Sequence, residues 1–329
     1  MKNKRILIIG GTGALGKSLI KKYYQDSDIM VFSRDEHKHV DLLKQYPKIK
    51  SYLGDIRDKS SITNSFSKFK PDIVINTAAL KHVPICESNA IESVKTNILG
   101  HQNLIEVVSE FNSMGFDDWE KVEALIFVST DKACKPINIY GMCKAISEKL
   151  YYNYAETERS TKVVMVRYGN VLESTGSVIP YFKSLLKTGQ KDLPITHSDM
   201  TRFLLTLEDA TELIDWAYKY EQSHGKIAVP KIKAMKVTDI AQCLIKFYGK
   251  RAPVARPRGI KLKVVGIRPG EKLHEELIST EEWLRTEEHE NYLIGTKNIN
   301  EKLWSYNSKD SLMNSSETYK FLQDSGVIK

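Results

Sequence analysis

With 329 residues, 41% of them hydrophobic and 27% charged, the chain has the balance of a folded protein with a substantial core, which excludes a disordered or low-complexity one. Lysine and arginine outnumber aspartate and glutamate 49 to 41, a net charge of +8; acidic residues are interspersed and no basic run occurs, so the excess suits anionic phosphates rather than nucleic acid. No apolar stretch approaches a membrane span, no leader is evident, and Cys86, Cys134, Cys143 and Cys243 lack CxxC spacing or a nearby His pair, which predicts a cytoplasmic protein with reduced thiols, no metal and no membrane partner.

Arg5–Ile9 (RILII) reads as a buried strand and residues 15–24 as a helix; Asp28–Ser33 and Ile73–Asn76 are further strands. Residues 91–111 place Ile91, Val94, Ile98, Ile105, Val108 and Phe111 near helical spacing. Strands follow at 124–129 and 162–167, with a helix over 140–157 between them. This alternation predicts an α/β fold, a Rossmann-type doubly wound parallel sheet. Such sheets bind ligands at the carboxyl ends of their strands, here Ser33, Asn76, Ser129 and Arg167.

After Gly169 the pattern loosens. Helices are expected at 179–187, 207–220 and 237–247 and strands at 227–229 and 263–267, broken at Pro230, Pro253, Pro257, Pro269 and Gly270. The expected division is a dinucleotide-binding domain over 1–170 and a smaller mixed α/β substrate-binding domain over 171–329, with 203–230 packing back onto the first. From about Asn298 the chain is polar and carries no functional signal.

Directly after the first strand stands Gly10-Gly11-Thr12-Gly13-Ala14-Leu15-Gly16, followed by a helix. Gly10, Gly13 and Gly16 let the backbone approach a pyrophosphate, which the helix N-terminus attracts; Thr12, Ala14 and Leu15 belong to the same cradle. At the end of the second strand, Ser33 and Arg34 stand where an acidic residue would bind the ribose of NAD, so NADP is the expected cofactor. Asp35 remains able to reach a ribose hydroxyl. Asp55 and Ile56 suit the adenine pocket, Asp55 accepting from the exocyclic amine. Ala78, Ala79 and Lys81, after the fourth strand, complete the cofactor set.

Tyr140 and Lys144 form YxxxK at the start of a helix, on one face. Lys144 is expected to lower the Tyr140 pKa from about 10 toward neutrality and to hold the nicotinamide ribose. Tyr140 then takes a hydroxyl proton while hydride leaves the same carbon, with Thr130 as its hydroxyl partner. Asp131 and Lys132 lie just upstream. Oxidation needs neither, whereas an elimination needs an acid and a base; a surface ion pair is the equally weighted alternative.

From the glycine loop to about Glu276 the sequence resembles the inverting UDP-N-acetylglucosamine 4,6-dehydratases, extended short-chain dehydrogenases of amino-sugar synthesis. The resemblance rests on Ser33-Arg34-Asp35-Glu36, Ala79-Leu80-Lys81-His82-Val83-Pro84, Lys95-Thr96-Asn97, Thr130-Asp131-Lys132-Ala133, Tyr140 with Lys144, Arg167-Tyr168-Gly169-Asn170-Val171, Gly176-Ser177-Val178-Ile179-Pro180, Met200-Thr201-Arg202-Phe203 and Gly266 to Glu275. Related glucose-nucleotide dehydratases carry Asp-Glu where this chain has Asp131-Lys132. The resemblance implies UDP-N-acetylglucosamine as substrate, transient oxidation at C4 through Tyr140, proton abstraction at C5 by a neutral Lys132, protonation of the departing 6-hydroxyl by Asp131, and inversion at C5. It also implies Lys81, Asn170, Val178, Arg202, Arg268 and Glu271 as substrate contacts, His82 and His274 as structural residues, and a homo-oligomer. A bifunctional dehydratase and 5-epimerase, a sugar-nucleotide 4-epimerase or reductase, and a non-catalytic NADP sensor are the competing readings.

Overall fold

The computed structural model describes residues 1–113, 121–174, 176–248 and 259–328; Pro253 and Pro257 lie outside them. In the first half, strands and helices alternate as β1 (Arg5–Ile9), α1 (Ala14–Tyr23), β2 (Asp28–Ser33), α2 (Glu36–Gln45), β3 (Lys50–Leu53), α3 (Lys59–Phe69), β4 (Ile73–Asn76), α4 (Val83–Ser88), α5 (Ala90–Val94), α6 (Gly100–Ser113), β5 (Ala124–Val128), α7 (Ile139–Thr157) and β6 (Lys162–Val166). The six strands pair in parallel in the order 3-2-1-4-5-6. The order in which strands are added reverses between β1 and β4, which opens a crevice at their carboxyl ends. Strand side chains alternate between faces, so Ile6 and Ile8 enter one core with Leu19 and Ile20, while Leu7 and Ile9 enter the other with Phe66 and Leu104. The run RILII is apolar throughout because helices cover both faces.

The second half contains β7 (Asn170–Val171), α8 (Val178–Lys187), β8 (Asp192–Ile195), β9 (Thr201–Leu205), α9 (Leu207–Lys219), β10 (Lys226–Pro230), β11 (Ala234–Lys236), α10 (Val237–Tyr248), β12 (Lys261–Val264), β13 (Glu276–Ile278), α11 (Thr280–Trp283), β14 (Thr286–Glu288), β15 (Tyr292–Gly295), β16 (Tyr306–Asn307) and α12 (Ser315–Asp324). Helix α9 buries Ala210, Leu213, Ile214 and Ala217 against the first core. Strand β10 joins β6 in parallel, and β15 and β14 follow it antiparallel, extending the sheet to nine strands. A separate core gathers Ile179 and Phe182 of α8, Leu244 of α10 and Leu322 of α12.

One expectation changes, and one stretch without functional signal gains a structural part. The helix expected over 91–111 is interrupted by a π turn at Lys95–Leu99; the extra residue breaks the 3.6-residue period, and Ile91 and Val94 face solvent. The polar C-terminal stretch is structural. Asn314 and Glu317 form a capping box for α12, and Leu322, Val327 and Ile328 behind it are buried. So few apolar residues, all near one end, give little periodic signal.

Candidate active site

A cavity of about 790 Å³ runs along the carboxyl ends of the central strands, a volume suited to a dinucleotide with part of a substrate. At one end lies the glycine turn. Gly10 has φ +79°, and a Cβ there would sit 2.8 Å from Ala78 N. A Cβ on Gly16 would come within 2.3 Å of Gly11 O, so α1 packs directly on the loop. The N-cap Gly13 makes no side-chain cap, and the first turn of α1 carries no acidic residue, leaving its N–H groups to an anion. Gly10, Thr12, Gly13, Ala14, Leu15 and Gly16 all line the cavity. A pyrophosphate fits this cradle.

Ser33, Arg34, Asp35 and Lys38 line the next section. Asp35 is engaged: it caps α2, accepting from Lys38 N at 3.1 Å, and pairs with Lys38 Nζ at 2.7 Å. Asp55 does not line the cavity, whereas Ile56 does. Arg57 holds the Asp55 carboxylate at 2.6 Å and Arg34 approaches it at 3.5 Å; burial works against ionisation, but these cations keep its pKa below the usual range. Ala78, Ala79 and Lys81 line the cavity as expected. Burial depresses the Lys81 pKa. Their loop is pinned by Asn97 of the π turn, whose amide accepts from Leu80 N and donates to Leu80 O, each at 2.8 Å. Asn97 stood in the sequence as a family match without a role.

At the far end β5 leads into Ser129, Thr130 and a 3-10 turn, Asp131–Ala133. Asn138 caps α7, accepting from Gly141 N at 2.7 Å, and donates to Gly270 O at 2.7 Å. A Cβ on Gly141 would lie 2.2 Å from Lys132 O, so only glycine lets Tyr140 sit this close to the Asp131–Lys132 turn. Gly141→Ala is expected to lower kcat by on the order of 10²-fold, the cost of about 1 Å of misplacement, with far less change in cofactor Kd; steady-state kinetics beside a binding titration read both.

Thr130, Lys132, Tyr140, Lys144 and Asn170 all line the cavity. The Lys144 amine is held away from the position the sequence suggested. Lys144 donates to Val128 O at 2.6 Å and lies 4.1 Å over the Phe127 ring. Burial pushes its pKa down to about 7, although Glu148 resists. Burial pushes Tyr140 up to about 12, and the groups opposing that rise are Lys132 and the Thr130 hydroxyl. Residues four apart on a helix share a face, but the two side chains end in different surroundings.

Lys132 also differs from expectation. Its Nζ lies 3.0 Å from Asp131 Oδ1, 3.4 Å from Glu275 Oε1 and 3.5 Å from Asn170 Oδ1. Burial favours the neutral amine, but the Asp131 and Glu275 carboxylates outweigh it and raise the pKa. Lys132 therefore rests as an ammonium. Asp131 is fully buried behind it and does not reach the cavity wall; burial raises its pKa. Its Oδ1 accepts from Thr130 Oγ1 at 3.0 Å, and its Oδ2 has no hydrogen-bond partner among the described residues. Glu275, 2% exposed, also approaches Arg202 at 3.8 Å. It lies 143 residues from Lys132 in the chain, and no local spacing connects them.

Of the strand ends, Ser33 and Ser129 line the cavity, while Asn76 and Arg167 do not. Asn76 donates to Tyr151 Oη at 2.9 Å. Arg167 is buried between Glu148 (2.6 Å) and Glu282 (2.8 Å). Of the expected substrate contacts, Lys81 and Asn170 reach the wall, but Val178, Arg202, Arg268 and Glu271 do not. Arg202 donates to Thr201 O, and the exposed Arg268 donates its backbone N–H to Glu271 Oε2 at 3.3 Å. His82 does line the cavity and packs against Gly176, whereas His274 bonds Thr201 at 2.8 Å. Burial raises the pKa of all four cysteine thiols, which disfavours the thiolate a nucleophile needs.

The family model described as polysaccharide biosynthesis protein matches residues 6–297. The chain is 41% identical over 297 residues to a Campylobacter jejuni protein named UDP-N-acetylglucosamine 4,6-dehydratase (inverting), covering 88% of this chain and 81% of that protein. It is 37% identical over 300 residues to a Rickettsia bellii protein named UDP-glucose 4-epimerase, covering 88% and 82%. The X-ray structure of Pen from Bacillus thuringiensis superposes with a TM-score of 0.89 at 30% identity, covering 100% of this chain and 99% of that one.

Proposed function

The chain belongs to the polysaccharide biosynthesis protein family, among the relatives of the inverting UDP-N-acetylglucosamine 4,6-dehydratases, and from that membership we propose that it dehydrates UDP-N-acetylglucosamine with inversion at C5, giving a UDP-2-acetamido-2,6-dideoxy-L-hexos-4-ulose. The observation that carries this reading is the Asp131–Lys132 pair, 3.0 Å apart, with Lys132 on the cavity wall beside Tyr140. The net reaction is loss of water, a lyase reaction.

The nicotinamide cofactor, when bound, would supply the acceptor for the C4 hydride and its donor to C6, and its positive charge when oxidised would lower the Tyr140 pKa. Tyr140 takes the proton of the sugar 4-hydroxyl, assisted by Thr130 and by the charge on Lys132. The 4-ketone so formed acidifies C5–H. Proton transfer from the Lys132 ammonium to Asp131 along their contact leaves an amine facing the cavity and a carboxylic acid behind it, and burial of Asp131 favours that transfer. Lys132 removes the C5 proton. The Asp131 proton reaches the departing 6-hydroxyl through Thr130, whose hydroxyl already contacts Asp131 and lines the wall. A solvent proton delivered to C5 from the face opposite Lys132 inverts that carbon; Tyr140 releases its proton to solvent, and Lys132 and Asp131 end as the ammonium and carboxylate they began as.

Lys81 and Asn170 line the cavity and serve as substrate contacts. Arg202 and Arg268, off this wall, are proposed as clamps on the more distant diphosphate and uridine, with Glu271 and Val178 as further contacts. Ser33, Arg34 and Lys38 supply a hydroxyl and two cations where a 2′-phosphate would lie, which supports NADP; NAD binding tighter than NADP in a titration would overturn that choice. Exposed Ile85, Ile91, Leu99, Met142, Ile146 and Tyr152 on the α4–α7 surface support a homo-oligomer.

The epimerase name of the Rickettsia relative supports a second reading, reversible oxidation at C4 by Tyr140 with Lys132 as a bystander. One experiment separates the two. Incubation with UDP-N-acetylglucosamine in heavy water, followed by NMR, is expected to show loss of water with deuterium at an inverted C5. A C4 epimer without deuterium at C5 would establish the epimerase, and unchanged sugar would refute both.

A further inference from the structure

His39 of α2 is 4% exposed and lies directly behind the Ser33 end of the cavity. Its Nε2 is 2.7 Å from Ser33 Oγ and 3.2 Å from Ser33 O, and its Nδ1 is 2.6 Å from Ser51 Oγ. A carbonyl oxygen can only accept, so these partners assign the proton to Nε2, and Nδ1 accepts from the Ser51 hydroxyl. Burial depresses the ring's pKa and keeps this neutral tautomer.

The direction of every bond follows. Ser33 Oγ accepts from His39, which leaves the Ser33 proton to be donated elsewhere. Thr12 Oγ1 lies 3.0 Å from Ser33 Oγ, and neither hydroxyl has another acceptor among the described residues. If Ser33 donates to Thr12, the Thr12 proton is free; if Thr12 donates to Ser33, the Ser33 proton is free. Both residues line the cavity. In either arrangement one hydroxyl proton remains for whatever occupies it, beside Arg34 and Lys38. Asp35, the one carboxylate on this part of the wall, already accepts from the backbone N–H of Lys38 and pairs with its ammonium.

We propose that His39 is a positioning residue for cofactor selectivity: through Ser33 and Thr12 it turns a hydroxyl donor toward the adenosine ribose, favouring the acceptor-only 2′-phosphate over a 2′-hydroxyl. The inference rests on the NADP reading given above and adds a residue that never touches the cofactor.

Calorimetric titration of the full-length chain with NADP⁺ and with NAD⁺ tests it. His39→Phe is expected to weaken NADP⁺ about tenfold, the scale of one hydrogen bond to a charged group, with NAD⁺ changed by less than about twofold. In the Ser33→Ala background the same substitution should add little further loss, because the hydroxyl it orients is gone. His39→Gln, which retains an N–H donor, should recover part of the loss. If His39→Phe does not fold, Ser51→Ala releases the tautomer and should shift the NADP⁺/NAD⁺ ratio in the same direction. Folded His39 variants with an unchanged ratio, or an equal further loss without Ser33, would overturn the relay. A wild-type chain that prefers NAD⁺ would instead overturn the cofactor assignment on which it rests.

Discussion

Lys132→Ala is expected to stop the loss of water and to slow, without abolishing, C4 oxidation, because the charge that opposes the rise in the Tyr140 pKa is also gone. With UDP-N-acetylglucosamine the variant should show a stoichiometric rise in reduced-nicotinamide absorbance and no dehydrated product, a loss of about 10²–10⁴-fold in turnover, the usual contribution of a positioned base. Alanine also removes the cation between Asp131 and Glu275, both fully or nearly buried. Glu275 keeps Arg202 and Lys272 nearby, but Asp131 loses its only ion-pair partner among the described residues. Alanine therefore strands a buried carboxylate and also disturbs folding. Lys132→Arg removes that ambiguity. It keeps the charge and the ion pairs, yet a guanidinium does not release its proton in a protein. It should fold, oxidise C4 and fail to dehydrate. Dehydration by either variant at the wild-type rate would remove Lys132 from the mechanism.

The second large effect is on stability. Arg167 is 2% exposed and donates to both oxygens of Glu148, to both oxygens of Glu282 and to Leu277 O. It thereby ties β13 and α11 of the second half to α7 and the strand end that carries Ser129, whose hydroxyl also donates to Glu148. Arg167→Met should cost about 3 kcal/mol, the lower end for breaking a buried ion pair. The lower end applies because Glu148 would be stranded in the interior, whereas the Glu282 side chain is 40% exposed and can be hydrated. Urea unfolding of the cofactor-free chain measures the change through the midpoint. Adding Glu148→Gln and Glu282→Gln to Arg167→Met should restore much of the loss, because the stranded charges are then gone. A single variant as stable as the wild type would mean that the triad contributes no net stability.

The chemistry most legible in the sequence is local. Gly10, Gly13 and Gly16 announce the cradle because strand, turn and helix are contiguous there. Tyr140 and Lys144 share a helical face because four residues make about one turn. The parallel sheet follows from alternating periods, and Asp131 with Lys132 offers the acid and base of an elimination, which the family resemblance, rather than the spacing, set above a surface ion pair. Each of these signals lies within a few residues of itself.

Protonation states and distant partners were decided by packing. The helical spacing of Tyr140 and Lys144 says nothing of the Val128 carbonyl and Phe127 ring that receive the Lys144 amine, so the resting place of that amine was not legible. Glu275 holds Lys132 charged from 143 positions away, and Arg167, placed by its sequence at a ligand-binding strand end, turns inward to two carboxylates. His39 carried no signal until the fold set it between Ser33 and Ser51. The sequence alone thus determined the sheet, the cradle and the kinds of groups available for reaction. The tertiary structure decided which of them are charged and which reach the cavity, because desolvation and Coulomb forces depend on neighbours in space and not on neighbours in the chain.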